Sequence, residues 1–304
     1  MGTLFSLTLF APDPSQAEAG AAAAFKRIDD LEDIMSDYQA DSELMRLCEQ
    51  PVGKPVPVSQ DLFDIFLRAQ KVSELSGGAF DVTVGPYVRL WRFARKRKVL
   101  PTSAELAAAR PAVGYRNLRL DARTRTATLL VPNMRLDLGG IAKGYAADQA
   151  LQLLKGRGID CALVAASGDI AIGNPPPGQP GWKVGIAGID AKANELTRMV
   201  FLRNAGISTS GDTEQAIEIG GVRYSHILDP ATGLGLTNRI QASVIAPNAT
   251  ATDALATTVC VLGPKRSLAL VDSLPQTAAL ILLKPDQQMR RFASKRFERL
   301  TKER

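Results

Sequence analysis

The stretch L-D-L-G-G-I-A-K-G-Y-A-A-D, Leu136–Asp148, decides how the chain is read. An alternating apolar segment, Met134–Leu138, predicts a strand. Gly139-Gly140 predicts a turn, and Ile141–Lys155 predicts a helix. Downstream, Cys161–Ala166, Asp169–Ile172 and Trp182–Ile186 read as strands around a Pro-Gly loop. Glu214–Ile219 and Val222–Ile227 read as hairpin arms about Gly220-Gly221, and Ile240–Ala246 as a further strand. Ala251–Leu262 reads as a short helix stopped by Gly263-Pro264. Upstream, a first strand ends at Ala11-Pro12. Ser15–Leu47 is mostly helical, with Phe25, Ile28, Leu31 and Ile34 at helical spacing. It breaks at Ser36-Asp37 and restarts at Asp41/Ser42. Ser59 caps a helix through Leu75, Pro86 forbids a long central strand, and Leu118–Leu130 forms a hairpin. Without βαβ regularity or an internal repeat, the fold class is α+β, with largely antiparallel sheets and packed helices.

The chain has 304 residues, 45% hydrophobic and 22% charged, enough to bury a core. No apolar run approaches the ~20 residues of a membrane span. Cys48, Cys161 and Cys260 lack metal-type spacing, and an odd, scattered set argues against a disulfide framework. The net charge of +6 is concentrated in a basic loop, Arg95–Lys98 with Arg89 and Arg92 ahead of it, and in the tail from Arg290 to Arg304. Solvated segments account for both clusters, and attraction to an anionic substrate or lipid is the alternative. No recognition module accompanies the charge, so nucleic acid is not an expected partner.

Three elements carry candidate chemistry. In the Gly139-Gly140 turn, glycines let a backbone approach a ligand and a helix N-terminus favours phosphate. Lys143 adds a point charge, and Asp137 can accept from a donor on a ring or ribose. An ordinary strand-to-helix turn with a surface lysine fits the same residues. Asp253 and Thr257 stand at i,i+4 spacing, so a carboxylate and a hydroxyl share one helix face and suit a hard cation such as Mg²⁺. A carbonyl from the Gly-Gly turn adds a third donor. A plain helix cap at Thr252 or Asp253 is the alternative. His226 is the only histidine. It fits a general base with Asp229 orienting its ring, or a structural histidine tied to Asp229. Phe80 and Tyr38 add aromatic faces and Asp81 an acceptor, although aromatic packing is more often core.

These elements, in this order, resemble the FAD:protein FMN transferase family, the ApbE-type flavin transferases. The resemblance runs through M-G-T (Met1–Thr3), M-S-D-Y-x-x-D-S-E-L (Met35–Leu44) and G-A-F-D-V-T-V-G-P-x-V-x-L-W (Gly78–Trp91). It continues through Leu136–Asp148, G-I-S-T-S-G-D (Gly206–Asp212), Y-S-H-I-L-D-P-A-T-G (Tyr224–Gly233) and A-T-D-A-L-A-T-T (Ala251–Thr258). It implies one flavin transferase domain over 1–304, in two lobes with FAD between them. It implies Mg²⁺-dependent transfer of FMN from FAD to a threonine of an acceptor protein, with release of AMP. An FAD pyrophosphatase giving FMN and AMP, or a non-catalytic flavin carrier, remains an alternative.

On this resemblance Met1, Tyr38, Ala79, Phe80, Asp81, Asp137, Lys143 and Leu228 fall on FAD-contacting positions. Gly140, through its carbonyl, falls on the metal positions with Asp253 and Thr257, and His226 on the catalytic one. The chain departs from the pattern at Ser167-Gly168, Thr213 and Arg92. Family members are mostly exported, often as lipoproteins. A periplasmic or inner-membrane-associated setting is therefore expected, with any leader or anchor missing ahead of Met1, since the opening residues read as a strand and not a signal peptide.

Overall fold

The computed structural model describes residues 2–189, 196–211, 216–285 and 288–302. In chain order the first elements are β1 (Phe5–Phe10), α1 (Pro14–Met35), α2 (Glu43–Cys48), β2 (Val56–Pro57), α3 (Gln60–Ser76), α4 (Gly85–Arg97) and α5 (Ser103–Ala109). Then come β3 (Leu118–Asp121), β4 (Thr126–Leu129), α6 (Ala142–Gly156), β5 (Cys161–Ala166), β6 (Asp169–Ile172), β7 (Trp182–Ala187), β8 (Leu196–Leu202) and β9 (Ala205–Gly211). The chain continues through β10 (Ala216–Ile219), β11 (Val222–Ser225), β12 (Ile240–Ala246), α7 (Ala249–Ser273), β13 (Ala278–Leu283), β14 (Arg290–Ala293) and α8 (Lys295–Lys302).

A seven-stranded sheet, ordered β1-β5-β6-β9-β12-β13-β14, forms the centre. Every neighbouring pair in it is antiparallel. Its two faces are sorted by side-chain alternation. Ala242, Val244, Ala279 and Ile281 face α7, where Leu255, Val259 and Cys260 meet them. Ile245, Ala278, Leu280 and Leu282 point the other way, against the β7–β8 hairpin and Phe297. With both faces covered, β12 is buried at every position. On the α7 side, α6 fills the neighbouring half of the sheet, and Ala24 and Ile28 of α1 close over it. A further core joins α1, α2, α3 and the three-stranded β2-β4-β3 sheet to the segment leading into α6.

Local chemistry explains the element ends. The Asp13 carboxylate accepts from Gln16 N–H at 2.9 Å and starts α1, with Pro14 in its first turn. The buried stripe of α1 is Gly20, Ala24, Ile28, Leu31 and Met35, and Phe25, expected inside, is exposed. Ser42 caps α2 and Ser59 caps α3, as the sequence predicts.

Two expectations are corrected and two are refined. Residues 134–138 join none of the described sheets. Asp137 N–H bonds to the Val82 carbonyl at 2.8 Å, and the Arg135 carbonyl lies where a Cβ on Gly85 would come within 2.5 Å. The segment is thus held against the start of α4 rather than in a ladder. No strand forms at Pro86, as expected, but Pro86 opens α4, so Arg95–Arg97 form that helix's last turn and not a loop, with Lys98 as its left-handed cap. The helix capped by Asn248 does stop at Gly263-Pro264, as expected, but a second helical segment follows at once and carries α7 on to Ser273. Gly263 leaves the helical region (φ 69°, ψ 173°), and Pro264 begins that second segment. Among the described residues this one helix is long and apolar enough to cross a membrane. Its Ala254, Leu255, Val259 and Cys260 are instead buried in the core.

Candidate active site

Helices α6 and α7 meet at glycine. A Cβ on Gly144 would stand 2.2 Å from the Ala249 carbonyl oxygen and 2.9 Å from the Asp253 Cβ. That approach lets the Gly144 N–H donate to Asp253 Oδ2 at 3.0 Å. The first turn of α7 is already satisfied. Asp148 accepts from Ala249 N–H at 2.9 Å and Thr250 N–H at 2.8 Å, while the Asn248 side chain takes Ala251 N–H at 2.9 Å. Asp253 is therefore not a cap. It lies one turn further in and only 1% exposed. No side chain caps the N-terminus of α6, which follows directly from the Gly139-Gly140 turn.

Around Asp253 the charges converge. Lys143 Nζ lies 2.7 Å from Asp169 Oδ2, and 3.3 and 3.4 Å from the two oxygens of Asp253. It also donates to the Gly139 carbonyl at 3.3 Å. Burial lifts the Asp253 carboxyl to about 7, and the nearby Asp169 adds to the rise, against Lys143 and the Gly144 N–H. Burial acts against the Lys143 ammonium, but Asp253 and Asp169 outweigh it and hold its pKa above the ordinary value. Asp169 Oδ1 is buried with no hydrogen-bond partner among the described residues. Thr257 is one turn beyond Asp253. A Cβ on Gly140 would stand 3.3 Å from Thr257 Oγ1 and 3.2 Å from the Phe80 ring. Thr257 Oγ1 also lies 3.5 Å from Ser210 Oγ. The Asp253 carboxylate, the Thr257 hydroxyl and a turn carbonyl are oxygen donors of the kind a hard divalent cation takes, beside a second buried carboxylate whose Oδ1 has no partner among the described residues. The residues fit such a group.

A second cluster borders this one. Arg92 pairs with Asp37 and lies 3.9 Å from Asp137 Oδ2. Its guanidinium stacks 4.2 Å over the Tyr38 ring, which is 74% exposed. Asp137 Oδ1 accepts from Gly139 N–H at 2.7 Å and so shapes the glycine turn. Burial and the nearby Asp37 raise the Asp137 carboxyl to about 6, against Gly139 N–H and Arg92. Arg92, where the resemblance leads one to expect glycine, thus supplies the counter-charge to two carboxylates.

Phe80 is buried and Ala79 half-buried. The Asp81 carboxylate accepts from Thr83 N–H at 2.8 Å and Thr83 Oγ1 at 2.6 Å. Burial raises its pKa against those bonds. Asp81 lines a cavity of about 230 Å³ with Gly114, Tyr115, Pro230 and Ala231. Leu228 is packed among Tyr87, Trp91 and Ala94. His226 is exposed, one residue beyond β11. Asp229 Oδ1 accepts from Ala231 N–H at 2.9 Å, so that carboxylate shapes the turn after the histidine.

The structure therefore brings Gly140, Phe80, Lys143, Asp253 and Thr257 together, and sets Asp137 with Tyr38 through Arg92. Met1, Thr213 and the Glu214 end of the predicted hairpin arm lie outside the described residues. Sequence reasoning missed Asp169 and Asp148. The available signal at Asp169 was a carboxylate directly after the Ser167-Gly168 turn, at the head of an apolar strand. Ser167 itself adopts φ 56°, where the family pattern has glycine, and a Cβ on Gly168 would lie 2.9 Å from the Thr209 carbonyl.

Comparison with known proteins gives the family. The family model described as the ApbE family matches residues 1–281. The chain is 31% identical over 303 residues to the FAD:protein FMN transferase of Vibrio cholerae serotype O1, covering 98% of this chain and 90% of that protein. It is 33% identical over 308 residues to the FAD:protein FMN transferase of Treponema pallidum, covering 96% and 85%. Among solved structures, the flavin transferase ApbE from Vibrio cholerae matches with a TM-score of 0.88 at 31% identity, covering 98% of this chain and 96% of that one. The ApbE protein from Thermotoga maritima matches at 0.87 and 29% identity, covering 98% and 96%. A match of this extent, in sequence and in structure, means that the chain belongs to the ApbE family.

Proposed function

We infer that the chain transfers FMN from FAD to a threonine hydroxyl of an acceptor protein and releases AMP, with Mg²⁺ as the metal. The observation that carries this reading is the buried Asp253 carboxylate, one helical turn from Thr257 and against the Gly139-Gly140 turn. Asp253, Thr257 and the Gly140 carbonyl are the residues that would hold the cation. When bound, it supplies positive charge to the diphosphate oxygens of FAD, where charge grows as the bond breaks.

The chain's own groups do the rest. The uncapped start of α6 and the Lys143 ammonium attract the diphosphate. Tyr38 and Phe80 offer aromatic faces, and Asp137 and Asp81 offer acceptors. Leu228, behind the histidine loop, sets that loop's position by packing against Tyr87 and Trp91. His226 takes the proton from the acceptor threonine. The threonine oxygen then bonds to the FMN-side phosphorus. The bond from that phosphorus to the bridging oxygen breaks, and AMP leaves with the electron pair. The nucleophile comes from another protein, which suits a base on the surface. FAD lying between two lobes of a single domain, and an exported, periplasmic or inner-membrane setting, belong to the same proposal and rest on the family resemblance.

The test is to incubate the protein with FAD, Mg²⁺ and a threonine-bearing acceptor. The expected result is in-gel flavin fluorescence on the acceptor and stoichiometric AMP. AMP without a labelled acceptor would establish FAD hydrolysis instead. Tight FAD binding with no AMP, in the presence of a competent acceptor, would establish a carrier.

A further inference from the structure

The two buried carboxylates at the candidate site are not equivalent. Asp169 is 3% exposed and Asp253 is 1% exposed, and a single ammonium stands between them. Lys143 Nζ is 2.7 Å from Asp169 but 3.3 and 3.4 Å from Asp253. Asp169 sits at the start of β6, paired across the sheet with Ser208 and Ala166, so its backbone cannot shift to follow the lysine. Lys143 is in the first turn of α6 and is steadied by the Gly139 carbonyl at 3.3 Å. Among the described residues, Asp253 has one main-chain donor, the Gly144 N–H on Oδ2, and one cationic partner, Lys143. Asp169 keeps a second oxygen, Oδ1, buried and unpaired among those residues.

Counting charge gives the role. With both carboxylates ionised, two carboxylates and one ammonium leave the seat at a net charge of about −1, the excess that draws in a cation. Without Asp169 the lysine and Asp253 would form a neutral pair, with no net attraction for a divalent ion and an ammonium sitting on its carboxylate ligand. We propose that Asp169 is a positioning residue that binds Lys143 as its counter-ion and thereby leaves the Asp253 carboxylate available to a divalent cation. The inference rests on the cation site of the preceding section. It adds that the sheet, through β6, and not only the two helices, sets how strongly the cation is held.

The test measures Mn²⁺ binding to the full chain without FAD, by electron paramagnetic resonance titration, with Mg²⁺ competition. Asp169→Asn should weaken binding at least about tenfold, because the lysine is then left to Asp253. Asp169→Ala should do the same, which guards against a defect peculiar to asparagine. The Asp169→Asn, Lys143→Met double variant restores the net charge at the seat and should recover affinity to within about threefold of wild type. Unchanged binding in both Asp169 variants overturns the inference while the cation site stands. Binding that stays weak in the double variant also overturns it, because Asp169 would then act on the ion directly. If the wild-type chain binds no divalent ion, the inference falls together with the site.

Discussion

The main-chain N–H of Gly144 reaches Asp253 Oδ2 at 3.0 Å because position 144 carries no side chain. Helices α6 and α7 touch there, and the same contact places the carboxylate on which the candidate site depends. A methyl group on Gly144 would collide with the Ala249 carbonyl at 2.2 Å, which is backbone and cannot rotate away. Gly144→Ala should therefore cost about 1–3 kcal/mol or more of stability. It should also weaken divalent-ion binding. Thermal unfolding and Mn²⁺ titration of the variant check both.

Asp253 and Thr257 separate charge from coordination. Asp253→Asn keeps the shape and should abolish Mg²⁺-dependent AMP release. Thr257→Val removes one neutral donor, so the Mg²⁺ concentration for half-maximal turnover should rise by roughly tenfold with the maximal rate largely kept. Activity measured across a Mg²⁺ series reads both. Full activity in Asp253→Asn would mean that the cation is held elsewhere.

His226 is exposed, next to a turn held by Asp229, and its removal should leave the fold and the FAD pocket intact. His226→Ala should lower the transfer rate roughly a hundredfold to ten-thousandfold, with FAD affinity unchanged. Single-turnover labelling of an acceptor, beside an FAD binding titration, gives the two numbers. A loss of FAD binding equal to the loss of rate would remove the histidine from the chemistry.

Asp137 gives a pH dependence with a defined sign. Its carboxyl is raised to about 6 in the folded chain, by burial first and by Asp37 second, against an ordinary value of 3.8. Between these values the folded state holds a proton that the unfolded state has released. This group's contribution to stability is complete below 3.8 and is lost as pH rises through about 6. Asp137→Asn should flatten that part of the profile. Arg92→Ala, which removes the nearby cation, should carry the loss to higher pH. Urea unfolding at several pH values between about 4 and 7 reads the slopes.

The parts of the fold that could be read from sequence were those set by local chemistry. Ser42 and Ser59 cap helices where they stand, and strands β5, β6 and β12 fall where apolar runs are bounded by turn residues. The segment 134–138 misled because alternation describes an extended chain whether or not a partner strand exists, and here the neighbour is Gly85 of a helix. The basic run Arg95–Lys98 misled because a proline that cannot continue a strand can still begin a helix, and α4 carries those residues. At the site, Asp253 and Thr257 were visible as one face of one helix. Asp169 was not, because its meeting with Lys143 depends on how β6 lies beside α6, which no local pattern records. Arg92's ion pairs were hidden for the same reason: its partners Asp37 and Asp137 arrive from distant parts of the chain.

His226 and Tyr38 stand at the surface, while Asp253 lies buried where α6 and α7 meet. This division lets recognition evolve separately from chemistry. Substitutions around the outer pair can retune which visiting proteins are accepted without disturbing the interior that the fold depends on. A search for altered acceptor preference should therefore randomise the rim, and should find tolerance there that the glycine-lined interior will not grant.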